Sequence, residues 1–198
     1  MQILLLAGSS RPHSNSLLAA RFLGNLLHNG RNDSVQIVDL SHEALPAVGR
    51  GSLDVNQLTP FQQELTEAWG KARLVIITAP EYNWSTNAEL INMAHQLGTK
   101  AFAPLFKEKV FAFAGVSTGR GGRQSALELM MIFNKIISFS DSESVVCPKL
   151  WESHETHRNI DEASLGSANE VYTESARQFL TYALRLSRRW ERSESNIP

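Results

Sequence analysis

The chain has 198 residues, 42% of them apolar and 20% charged, and a net charge of −1. That composition supports one well-buried core and excludes disorder, while the near-neutral charge supplies no field for nucleic acid or an anionic membrane and argues against a strongly acidic electron carrier. Cys147 is the only cysteine, no apolar run approaches the roughly 20 residues that span a bilayer, and no basic leader precedes the first strand, so a cytoplasmic protein without internal disulfides or a signal peptide is expected.

Strand-like and helix-like segments alternate along the chain. Gln2–Ala7 reads as a buried strand, and Ser16–His28 as a helix with Leu17, Leu18, Phe22 and Leu26 on one face. Val35–Asp39 is a short second strand. Ser41–Pro60 holds Pro46, Gly49, Gly51 and Pro60 without a clean period and reads as a loop. Phe61–Gly70 is helical, Leu74–Ala79 is a β-branched third strand, and Ala88–Gly98 is a helix ended by its glycine. Val110–Gly115 is the fourth strand, with a helix after it over Arg123–Ile137. Ser144–Cys147 is a short fifth strand that Pro148 stops. Ala168–Arg192 closes the chain as one long helix, with Val171, Phe179, Ala183 and Leu186 to pack inward.

Strands separated by helices imply right-handed crossovers and a parallel sheet covered on both faces. The spacing predicts a single α/β domain over residues 1–198, a three-layer sandwich whose five-stranded parallel sheet has the flavodoxin-like order 2-1-3-4-5. In that order ligands sit beyond the carboxyl ends of strands one and three. Three polar or Gly-rich loops fall at that edge.

The first, Gly8-Ser9-Ser10-Arg11-Pro12-His13-Ser14-Asn15-Ser16, follows a buried strand and opens a helix. Backbone amides, hydroxyls, Arg11 and the helix N-terminus together suit a phosphate. The same serines also suit a plain helix cap at Ser14 or Ser16. Neither the Gly-Lys-Ser ending of an NTP loop nor the G-x-G-x-x-G spacing is present, so a mononucleotide phosphate fits better. The second loop, Ala79-Pro80-Glu81-Tyr82-Asn83-Trp84-Ser85, offers backbone polar groups to the rim of a flat heterocycle and aromatic faces for stacking. Read alone, it is better taken as a rigid turn whose aromatics cover the core, with Ser85 capping the next helix. The third, Gly115 to Gly122, carries Ser117, Gly119, Gly121 and Gly122, which permit close backbone approach to a ligand or simply a flexible tip. Their convergence on one edge points to a phosphorylated planar cofactor, FMN.

On these three stretches the chain resembles the NADPH-dependent FMN reductase family of flavodoxin-like proteins, which includes quinone, azo-dye and chromate reductases. The resemblance implies that Ser9, Arg11 and Ser16, with Ser14 and Asn15 between them, hold the FMN phosphate. It implies that Pro80, Glu81, Tyr82 and Asn83 line the isoalloxazine, with Ser117, Gly119, Gly121 and Gly122 on its other side. FMN and NADPH or NADH are the implied cofactors, a small-molecule electron acceptor the implied partner, and a homodimer or homotetramer the implied assembly. Ser16 stands where the family often has Asn, and Asn87, Ala88, Ile91 and His95 replace its Pro, Gly, Lys and acid.

The activity so implied is hydride transfer from NAD(P)H to flavin N5 and on to an acceptor such as free flavin or a quinone, with no side-chain nucleophile. A flavin-binding sensory or electron-transfer protein without NAD(P)H turnover is the alternative, motivated by the altered Asn87–His95 helix. His154-Glu155-Thr156-His157 lacks the H-E-x-x-H order and a third ligand, so no metal is expected. Cys147 reads as a small buried strand residue.

Overall fold

An apolar run without alternation has to be covered on both sides, and strand β1 (Gln2–Ala7) is: Leu4, Leu5 and Leu6 are fully buried. The computed structural model describes residues 1–28 and 33–194; the other positions of the expected 1–198 domain lie outside the described residues. Helix α1 (Asn15–His28) and strand β2 (Ser34–Asp39) follow β1, then helix α2 (Pro60–Lys71), strand β3 (Leu74–Pro80) and helix α3 (Ala88–Leu97). A 3₁₀ segment, Lys100–Phe106, leads into strand β4 (Val110–Val116) and helix α4 (Arg123–Phe139). Strands β5 (Val145–Val146) and β6 (Trp151–Ser153), the short helix α5 (Thr156–Asn159) and helix α6 (Glu170–Glu194) complete the order.

All strand pairs are parallel, in the expected order β2-β1-β3-β4-β5. The fifth position is shared with a sixth strand. Phe111 pairs with Val146 and Ala114 with Trp151, so residues 147–150 bulge out opposite Ala112 and Phe113. Pro148 has no N–H for the ladder and ends β5, but the chain re-enters the sheet as β6, too short to show a period in sequence.

Helices cover both faces. Trp69 of α2, Met93 of α3 and Phe133 of α4 pack on one, beside Phe111 and Phe113 of β4. The Trp69 indole N–H donates to the Leu105 carbonyl at 2.8 Å, so this buried ring keeps its polar atom paired. The other face carries α1 and α6. The buried stripe of α1 runs through Ala19, Ala20, Phe22, Leu23 and Leu27, whereas Leu17, Leu18 and Leu26 sit partly buried at its margin. On α6, Tyr172, Ala176, Phe179 and Ala183 recur at helical spacing and face the core. Val171, expected to pack inward, is one residue out of that phase and is 79% exposed. No helix among the described residues is long and apolar enough to cross a membrane.

The Ser41–Pro60 stretch has no helix or strand before Pro60, as its composition predicts, but it is firmly held. Asn92 of α3 accepts from the Val48 amide at 2.8 Å and donates to the Pro46 carbonyl. Gln96, one turn on, donates to the Pro46 and Gly51 carbonyls and accepts from the Leu53 amide. Thr59 and Gln62 form a reciprocal capping box at the start of α2, braced by the Glu43 carboxylate.

Lys109 enters the base of β4 with only 4% of its surface exposed, and its ammonium donates to the Gly70 and Ala72 carbonyls at 2.9 and 2.7 Å. Burial, helped by the nearby Arg73 charge, pushes its pKa down to about 8. Between that value and the higher pKa of an unfolded lysine, the unfolded chain holds more protons, so Lys109 makes stability rise with pH. Urea midpoints of wild type and Lys109→Met on either side of that value should diverge, the wild type gaining at the alkaline side. A difference that does not change with pH would contradict the assignment.

Candidate cofactor site

β1, β3 and β4 end side by side, and the segments leaving them line one cleft of about 320 Å³. Ser9, Arg11, Ser14, Asn15 and Ser16 form its first wall. Pro80, Glu81 and Tyr82 form the second, and Val116, Ser117 and Thr118 the third. Of the residues expected at the site, Asn83, Gly119, Gly121 and Gly122 do not line it; Pro12, His13, Val116 and Thr118 do, and nothing in their residue types singled them out.

The first wall begins where Gly8 turns off the sheet. A Cβ there would lie 2.4 Å from Leu90 Cδ1, so α3 packs directly on this residue and a side chain here would have to displace Leu90. Ser14 caps α1, its hydroxyl accepting from the Leu17 amide at 3.1 Å. Ser16 does no capping. Its hydroxyl is buried and has no hydrogen-bond partner, and its own carbonyl accepts from Thr78 Oγ1 at 2.8 Å. The opening amides of a helix lack intrahelical partners and carry its positive dipole end, so this wall presents donors to an anion. Arg11 adds a full positive charge, with its guanidinium carbon 4.7 Å from the centre of the Tyr82 ring.

The second wall is a tight turn. Tyr82 and Ser85 exchange backbone hydrogen bonds at 2.8 and 3.0 Å, and Asn83 and Trp84 between them both have positive φ. Two consecutive positive φ values suit a type I′ turn, where Asn is favoured and Trp is strained. The turn aims Asn83 outward and leaves Trp84 78% exposed. Ser85 does not cap α3: its hydroxyl donates to Glu128 of α4 at 2.7 Å, and the Thr86 amide donates to the same carboxylate. Asn87, at the N-cap position, is 1% exposed and donates to the Gly8 carbonyl at 2.9 Å, tying the start of α3 to the first wall.

Glu81, expected as a cofactor contact, uses its carboxylate within the protein by accepting from the Gly122 amide. It thereby fixes the third loop. Gly115 and Gly122 pack backbone on backbone, and a Cβ on Gly115 would fall 1.7 Å from the Gly122 carbonyl oxygen. Ser117 folds the next turn, its hydroxyl bonding both the amide and the carbonyl of Gly119. Behind it Ser153, Thr156 and Tyr172 form a buried hydroxyl cluster, and Thr156 reaches the Ser117 carbonyl at 3.2 Å. Burial pushes the Tyr172 phenol up to about 12, so it stays neutral and keeps its place in that cluster.

His154 packs edge-on against Tyr172 and belongs to this support. Among the described residues no group of His, Cys, Asp and Glu is arranged for a metal ion. Cys147 is buried, and burial raises its thiol pKa.

The profile of the NADPH-dependent FMN reductase family matches residues 1–147. Among solved structures, the flavoenzyme NAD(P)H:(acceptor) oxidoreductase FerB from Paracoccus denitrificans is similar over 95% of this chain and 97% of its own, at 14% identity and a TM-score of 0.72. An azoreductase from Bacillus anthracis matches over 94% and 98%, at 18% identity and a TM-score of 0.53. A flavodoxin from the domain Archaea matches over 93% and 98%, at 11% identity and a TM-score of 0.54. At these identities the solved structures share the fold.

The Gly115–Gly122 contact makes a sharp prediction. Gly115→Ala should destabilise the fold by an overpacking cost of about 1–3 kcal/mol, read as a lower urea midpoint, because the atom it meets is backbone. A variant as stable as wild type would mean that the two glycines do not touch.

Proposed function

The chain belongs to the NADPH-dependent FMN reductase family, with FMN and NAD(P)H as its cofactors, and we propose that the three-walled cleft holds the FMN. Flavin-dependent NAD(P)H oxidoreduction is the activity of that family; the finer reading is that a small acceptor, free flavin or a quinone, is reduced. The observation that carries the cofactor assignment is the Ser16 hydroxyl, buried on the first wall without a partner. A buried unpaired hydroxyl costs about 1–3 kcal/mol, and a phosphate oxygen beside it would remove that cost. Ser9, Arg11 and the start of α1 surround the same spot with further donors.

Bound FMN would supply the redox chemistry, taking a hydride from nicotinamide at N5 and handing on the electrons. The protein's part is placement. Ser9, Arg11 and Ser16 bind the phosphate, with Ser14 capping the helix that carries Ser16. The backbone of Pro80, Glu81 and Tyr82 borders the ring on one side and Ser117 on the other. Glu81 and Glu128 hold those segments still, so the ring would meet a fixed backbone rim instead of mobile loops. No side chain has to act as acid, base or nucleophile.

The altered Asn87–His95 helix favours turnover over the sensory or carrier alternative. Of the altered positions, Asn87 braces the first wall through the Gly8 carbonyl, and none of Asn87, Ala88, Ile91 and His95 lines the cleft. Steady NAD(P)H oxidation with a quinone or free flavin tests this reading. A protein that binds FMN but is reduced by neither nicotinamide would be the non-catalytic alternative.

The dimer that the resemblance implies is proposed to use a flank away from Ile91 and His95 of α3. Ile91 is half-buried, while Trp84, Leu127 and Met131 are 78%, 38% and 67% exposed on the flank joined by the Ser85–Glu128 bond. A second copy is proposed to cover that flank. Light scattering should give a dimer for wild type and a monomer for Met131→Glu.

Ser16→Ala separates binding from folding. Removing an unpaired buried hydroxyl should leave the flavin-free protein as stable or more stable, while weakening FMN binding by about 1 kcal/mol, the worth of a hydrogen bond. Arg11→Ala should weaken FMN by about 1.5–3 kcal/mol and be rescued by excess FMN, since a charged hydrogen bond is lost. Calorimetry giving unchanged FMN affinity in both variants would remove the phosphate from this wall.

A further inference from the structure

A second cleft of about 320 Å³ lies against the first and shares His13, Ser14 and Asn15 with it. Leu17 and Leu18 of α1 and Ile160 after α5 give it an apolar floor. Arg21, one turn along α1, and His157 of α5 bring groups that bind anions, and Asp161 and Glu162 bring carboxylates. Among the described residues the Arg21 and His157 side chains have no hydrogen-bond or ion-pair partner, so both are available to a ligand.

The wall opposite α1 is rigid. Asp161 Oδ1 accepts from the hydroxyl and the amide of Ser164 at 2.6 and 2.7 Å, which holds its carboxyl below the usual carboxylate range and leaves Oδ2 unused. The Asp161 amide donates to the Gly166 carbonyl at 2.9 Å, and Asn25 of α1 donates to the Leu165 carbonyl at 3.0 Å. The cleft therefore has fixed sides, and its volume lies within the range of about 300–1,000 Å³ typical of small-molecule sites.

An apolar floor, an unengaged carboxylate oxygen and the unpaired Arg21 guanidinium match the three parts of an adenosine phosphate. Adenine stacks on aliphatic side chains, a carboxylate accepts from ribose hydroxyls as in dinucleotide-binding folds, and a guanidinium binds phosphate. We propose that this second cleft receives the adenosine-phosphate half of a dinucleotide whose other half engages the first cleft. The inference rests on the FMN reading of the first cleft. The adenosine phosphate belongs either to the nicotinamide dinucleotide or to FAD in place of FMN.

The test is calorimetry of the FMN-saturated protein with 5′-AMP. Wild type should bind 5′-AMP, and Arg21→Glu should weaken it at least tenfold while FMN affinity stays unchanged, because Arg21 is exposed and outside the first cleft. His157→Ala should weaken it in the same direction, with circular dichroism confirming that both variants fold. Competition by NAD⁺ on the FMN-loaded protein assigns the moiety to the nicotinamide dinucleotide. Exclusion of 5′-AMP by FAD but not by FMN assigns it to the flavin dinucleotide. FMN binding without 5′-AMP binding, or 5′-AMP binding untouched by both variants or by both dinucleotides, overturns the proposal. Failure of wild type to bind FMN would instead overturn the reading of the first cleft.

Discussion

One residue past the end of each central strand, the sheet's hydrogen-bond ladder still holds. The Gly8 amide donates to Thr78, the Glu81 amide to Val116 and the Ser117 amide to Ser153, at 3.0, 2.8 and 3.0 Å. Strands β1, β3 and β4 are apolar, because both faces of a parallel sheet are buried, except for Gln2 at the exposed start of β1 and Thr78, whose hydroxyl bonds backbone carbonyls. The other polar groups appear beyond that last bond. Each loop therefore starts from a fixed point on a rigid edge. The cleft is shaped first by backbone and only then by side chains.

Several polar side chains near the cleft serve the protein before any ligand. Glu81 holds Gly122, Glu128 holds Ser85 and Thr86, Asn87 holds Gly8, and Ser14 caps α1. Buried or half-buried polar atoms must find partners, and a loop edge offers many unpaired amides and carbonyls. Ser16 is the exception on the first wall, and that exception gives the site its polarity. Its hydroxyl and the first amides of α1 are donors, and the nearby carboxylate of Glu81 is already engaged.

The α3 helix shows the same economy at a larger scale. Its inward face packs Leu90, Met93, Ala94 and Leu97 into the core. Asn92 and Gln96 hold the carbonyls and amides of residues 46–53, a stretch with no ladder of its own. Beside Ile91 and His95, the polar edge of this helix is an adhesive strip for a long loop. The same side of the fold then needs no regular structure between β2 and α2.

The order of strands and helices, the two-sided burial of the sheet and the three loops at its carboxyl edge were determined by the sequence. Apolar runs, helical periods and glycines act through local geometry and leave a readable period. Ser14, which caps α1 three residues before its bonded amide, belongs to that local class. Tertiary structure alone decided what each polar side chain does. Glu81 and Gly122, Glu128 and Ser85, and Asn87 and Gly8 are each about 40 or more residues apart in the chain and meet only when helices close over the sheet. The split of the fifth strand into β5 and β6 is of the same kind. Pro148 marks where a ladder must stop, but only β4, with Ala114 still unpaired on that side, decides that Trp151 resumes it. A hydrogen bond depends on where its partner lies in space, and composition and period carry no record of that.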